Sequence, residues 1–190
     1  MASASVSART ARRPPWETIV AVAAVVSLAL WPVQIHQAFG LPAHPLLIHV
    51  PVVFVPILGL AALAVAFNAR WFDRFGLLVA AFSVVTLAAT LLAVGAGEAF
   101  RTERLREFPD LVGDPTLHDH ADAGITVRLA MVILTALLVG MLFAKRAPST
   151  ARIALRVLAV LFALTAIVFV IRTGHLGAKL AWGDAQQQVR

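Results

Sequence analysis

The chain has 190 residues, 60% of them hydrophobic and 14% charged, with a formal net charge of +6. An average soluble domain carries roughly 25% charged residues, so a soluble globular reading is excluded. The absence of cysteine excludes disulfides, thiolate metal sites and cysteine catalysis, and basic residues that flank apolar runs instead of forming a stripe exclude a nucleic-acid interface.

Residues 1–16 form a basic segment containing Arg9, Arg12 and Arg13. Residues 17–40 read as an N-terminal transmembrane anchor, with an apolar run from Thr18 to Gln37 and Pro32 kinking its end. A basic start before an apolar run also describes a signal peptide. This run is long and no clear small-x-small cleavage motif follows it, so an uncleaved anchor is expected. Residues 41–183 hold four further spans: Pro45 to Phe67, Gly76 to Ala96, Gly124 to Ala144, and Ile153 to Ile171. Each approaches or exceeds the ~20 apolar residues that a bilayer core about 30 Å thick demands of a helix. A long outer loop is expected at 97–123, with a helix-like stretch near Ala99 to Glu107, and a tail at 184–190. The connections Asn68 to Phe75 and Lys145 to Arg152 are short and force antiparallel neighbours. The expected fold is therefore an all-α integral membrane protein with about five transmembrane helices, a four-helix core bundle plus an N-terminal span.

Charge sets the orientation. One side carries Arg9, Arg12, Arg13, Arg70, Arg74, Lys145, Arg146, Arg152 and Arg156 against only Glu17 and Asp73. The other mixes acids with Arg101, Arg104, Arg106, Lys179 and Arg190. The positive-inside rule makes the first side cytoplasmic. The N-terminus is then inside, the C-terminus outside, and the chain multi-pass.

All six histidines (His36, His44, His49, His118, His120 and His175) fall on the expected outer side. Neutral imidazole ligates haem iron, copper, zinc and non-haem iron, and bundles build such sites from facing helices. His49 is the favoured ligand. It lies about a turn into an apolar helix between Ile48 and Val50, where ionisable groups tend to face the bundle interior. Its expected partner is His120 or His175, with His44 in reserve; for His44, His120 and His175 a helix-end role competes evenly. His36 and His118 read as interfacial or loop residues. His44 and His49 are about 140° apart around an ideal helix, so ligands from different helices are the natural arrangement. Glu98, Arg128 and Arg172 lie close to the same layer. Arg128 either snorkels outward or, like Arg172, pairs with Glu98 or with a cofactor carboxylate; Glu98 is a candidate proton or ion-pair residue.

The run Leu41-Pro42-Ala43-His44-Pro45-Leu46-Leu47-Ile48-His49-Val50-Pro51 resembles the HPLLVHFP-type signature that opens a helix in the bacterial membrane-protein family called domain of unknown function 2231. His120-Ala121 before a later span and Thr173-Gly174-His175-Leu176-Gly177 at the end of the last one fit the same family. The resemblance covers about Leu41 to Gly183 and leaves the first span as an addition. Ala178 stands where the family tends to have a second glycine, with Trp182 as the nearby aromatic. The resemblance implies a bacterial cytoplasmic membrane and a four-span core similar to small b-type cytochromes, hence a haem or redox role by analogy.

The leading expectation is a membrane protein that binds haem b, or alternatively copper, zinc or iron, through outer-face histidines in electron transfer. A redox partner or complex subunits would then meet the outer face, and the chain would be an electron-transfer subunit of an oxidoreductase sooner than a stand-alone enzyme. The alternatives are a cofactor-free structural or assembly subunit, and a small transporter. Against the transporter stands the lack of any ionisable residue near the middle of a span.

Overall fold

The computed structural model describes residues 15–188. The expected basic segment with Arg9, Arg12 and Arg13, and the end of the tail at Arg190, lie outside the described residues. Six helices are described: α1 (Trp16–Ser27), α2 (Ala43–Leu47), α3 (His49–Phe67), α4 (Ala69–Glu107), α5 (Pro115–Phe143) and α6 (Ser149–Gln188).

The first apolar run forms a shorter helix than expected. α1 continues through a tight turn at Leu28–Leu30, giving 15 helical residues, roughly 22 Å at 1.5 Å per residue against a core of about 30 Å. Pro32 explains the stop: it has no N–H to give the Leu28 carbonyl, and its ring crowds that carbonyl. The chain then turns back through a two-stranded hairpin, β1 (Gln37–Ala38) with β2 (Leu41–Pro42), in which Gln37 faces Pro42 and Ala38 faces Leu41. Its two-residue tip, Phe39-Gly40, has φ of 54° and 76°, the doubly left-handed conformation that joins twisted strands tightly.

Four helices are long and apolar enough to cross a membrane: α2 with α3 as one 25-residue unit, α4, α5 and α6. α2 and α3 are separated only at Ile48. Pro51 has no N–H for the Leu47 carbonyl, so the ladder loosens there. α4 is capped by the Asn68 side chain, which accepts from the amides of Arg70 and Trp71 at 3.0 and 3.2 Å. The expected loop at 97–123 is largely helical. α4 runs on to Glu107, a tight turn covers Pro109–Gly113, and α5 starts at Pro115 behind an Asp114 cap. Charged residues there read as a loop, yet pairs such as Arg104–Glu107 support a helix beyond the bilayer.

The four long units pack as a closed ring, α3 on α4 and α6, and α5 on α4 and α6. Leu58, Leu87, Leu91, Met131, Leu134 and Leu138 fill its interior. Buried hydroxyls are satisfied within their own helices or across one gap. Ser83, Thr86 and Thr90 bond carbonyls one turn back, and Thr135 bonds the Ser83 carbonyl of the neighbouring helix at 3.3 Å. Gly59 lets α6 approach, since a Cβ there would come within 2.6 Å of Ile167. The outward faces remain apolar, with Leu60, Leu78, Leu161, Val168 and Ile171 all exposed. An exterior this apolar needs lipid as its solvent.

Candidate functional site

At the end of the bundle where α2 begins and α5 begins, two imidazoles meet. His44 sits in the first turn of α2, which Pro45 tolerates because the first-turn N–H groups lack partners. His120 sits in the second turn of α5. Their ring centroids are 6.1 Å apart with planes at 79°, and both side chains are half-buried. His44 Nδ1 donates to the Ala93 carbonyl of α4 at 3.0 Å, and His120 Nδ1 donates to the Thr173 carbonyl of α6 at 3.0 Å. A carbonyl only accepts, so each neutral ring carries its proton on Nδ1 and keeps the Nε2 lone pair free.

The surroundings leave these rings their room. A Cβ on Gly97 would stand 2.9 Å from His44 Cε1, and one on Gly177 would stand 3.1 Å from His120 Cε1. Phe100 stacks on His44 at 6.2 Å and 21°. Ala93 and Gly97 are four residues apart, so one face of α4 supplies the His44 acceptor and the gap for its ring. Thr173 and Gly177 do the same for His120 on α6.

A second polar cluster flanks the pair. Arg128 is 7% exposed, lies over the Trp31 ring at 4.3 Å, and donates through Nη1 to Glu98 Oε1 at 2.9 Å. Arg128 is buried and paired with Glu98, so it does not snorkel outward. The Nε atoms of Arg128 and Arg101 are buried without a hydrogen-bond partner. Arg172 is exposed and pairs with Asp119 at 3.2 Å. His36 pairs with Glu103. His118 accepts from Arg101 and donates to the Val112 carbonyl at 2.8 Å; two residues from His120, it lies about 200° around the helix and diverges from it.

His49 and His175 stand apart from this pair. Both are exposed, and His49 Nδ1 turns back to the Leu46 carbonyl of its own segment at 3.2 Å. The residue that meets His120 is His44. Sequence reasoning also missed Phe100 and Arg101, three and four residues after Gly97. Helical spacing from that glycine was the signal that could have found them. Among the described residues no group of three or more His, Asp or Glu side chains is arranged to hold a metal ion.

Fold and site together define a membrane-embedded bundle of four long helices with paired histidines at one end. The chain belongs to the family described as Predicted membrane protein (DUF2231), which matches residues 40–189. α1 precedes that match. No curated protein and no solved structure matches the chain.

Proposed function

We propose that this membrane protein binds haem b through His44 and His120 and serves electron transfer at the histidine end. The observation that carries the reading is the pair itself: two imidazoles on separate helices, each with Nδ1 tied to a carbonyl and Nε2 free. Carbonyl-tethered Nδ1 is the usual outer-shell device that orients a ligating histidine.

Donor count separates the candidate metals. A structural zinc site uses four protein ligands and a catalytic one three. Two histidines suit a group that brings its own remaining donors, as haem does, better than bare zinc, copper or iron. When bound, haem would supply one-electron chemistry, and the protein its ligands and dielectric. His44 and His120 would hold the iron, and Gly97 and Gly177 give the two rings their room. The buried Nε atoms of Arg101 and Arg128 offer donors to an anionic edge. The positive-inside rule supports a histidine end that faces outward and a basic end that faces the cytoplasm, and the family resemblance supports a bacterial cytoplasmic membrane.

A second reading has its own support. Each histidine fastens one helix to the next, α2 to α4 and α5 to α6, and such fasteners suit a cofactor-free structural subunit. Haem supplied during expression, followed by oxidised and dithionite-reduced spectra with metal analysis, separates the two. Sharp reduced α and β bands at one haem per chain are expected. A colourless, metal-free protein would overturn the haem reading and favour the structural one.

A further inference from the structure

The end of the bundle opposite the histidines holds a cleft of about 200 Å³, bounded by the start of α4, the end of α5 and the start of α6. Lys145, Arg152 and Arg156 line it, against a single acid, Asp73. Among the described residues none of these four side chains takes part in an ion pair. Three cations around one cleft repel one another unless an anion joins them. α6 also begins here, and the first turn of a long helix adds unpaired N–H groups and a positive dipole end.

The floor and rim have a different character. Phe72 and Met141 are buried beneath the charges. Trp71 and Phe143 are exposed at the same end, as aromatic residues are where bilayer meets water. The volume lies below the 300–1,000 Å³ typical of pockets for whole small-molecule ligands. It suits a phosphate group and its ester carbons.

We propose that this cleft binds a phosphate-bearing anion, the headgroup of an acidic phospholipid or free phosphate, through Lys145, Arg152 and Arg156. Basic pockets between membrane helices recognise acidic headgroups by this chemistry. Nothing in it depends on the histidine pair.

The test uses the full chain in mild detergent. Native mass spectrometry follows titration with phosphatidylglycerol or phosphatidylcholine, and calorimetry follows titration with inorganic phosphate. Phosphatidylglycerol should bind more tightly than phosphatidylcholine. Arg152→Gln with Arg156→Gln should weaken it about 30-fold, the equivalent of ~1 kcal/mol per basic side chain. Arg152→Lys with Arg156→Lys should retain most of the binding, and Arg104→Gln at the other end should change nothing. Binding of inorganic phosphate that the Gln pair abolishes, with no preference among lipids, would identify free phosphate as the source and still support the site. A correctly folded Gln pair with undiminished binding of both anions would overturn the proposal, as would a wild-type chain that binds neither anion better than phosphatidylcholine.

Discussion

Replacing Glu98 with alanine should cost more stability than replacing Arg128 with leucine, although both changes break the same ion pair. Arg128 is 7% exposed, whereas the Glu98 side chain is 39% exposed. Glu98→Ala leaves a buried guanidinium whose Nε already lacks a partner. Breaking a fully buried pair costs about 3–5 kcal/mol, and the partial exposure of Glu98 lowers the expectation to about 2.5 kcal/mol. Arg128→Leu removes the buried charge, loses the contact with Trp31 and frees Glu98 to turn towards water, for about 1 kcal/mol. The double variant should then cost about 1.5 kcal/mol, some 2 kcal/mol less than the sum of the singles. Reversible unfolding in mixed micelles, followed by circular dichroism across the four proteins, measures the cycle. Additivity within about 0.5 kcal/mol, or a larger loss for Arg128→Leu than for Glu98→Ala, would refute the reasoning.

Two other substitutions test the elements that frame the site. Gly95→Ala places a Cβ against the Val33 carbonyl; it should cost about 1–3 kcal/mol by overpacking and raise hydrogen exchange in residues 31–36, measured by mass spectrometry. Asp114→Ala removes the side-chain acceptor for the amides of Thr116 and Leu117. A loss of about 1 kcal/mol is expected in the same unfolding assay, with the start of α5 fraying first.

The membrane class and the four long helices were legible because uninterrupted apolar runs of that length match the thickness of a bilayer and exceed what a soluble core needs. The clustering of histidines at one end was legible for the same reason, since chain order and span count alone assign ends. Which histidine faces inward was not. His49 lies between Ile48 and Val50, and in a soluble protein apolar neighbours would mark a buried face. In a bilayer the outside is as apolar as the inside, so the same neighbours surround an outward residue. Small residues carry the missing information: Ala93 with Gly97, and Thr173 with Gly177, mark the faces where rings and backbones come close. The charges of 97–123 suggested a loop because water-exposed helix and loop share a composition. Pro32 was read as a kink near the end of the first span. It ends the helix: the chain tightens through Leu28–Leu30, and the Trp31 N–H donates to the Leu28 carbonyl at 3.0 Å in place of the donor that Pro32 lacks.

The pairing of His44 with His120 is tested most directly by haem titration of His44→Gly, His120→Gly, His49→Gly and His175→Gly, each with and without added imidazole. His44→Gly and His120→Gly should lose the low-spin reduced spectrum and regain it with imidazole, because the vacated ring space admits a free ligand. His49→Gly and His175→Gly should keep the wild-type spectrum throughout. Loss of the spectrum in His49→Gly, with His44→Gly unaffected, would contradict the assignment.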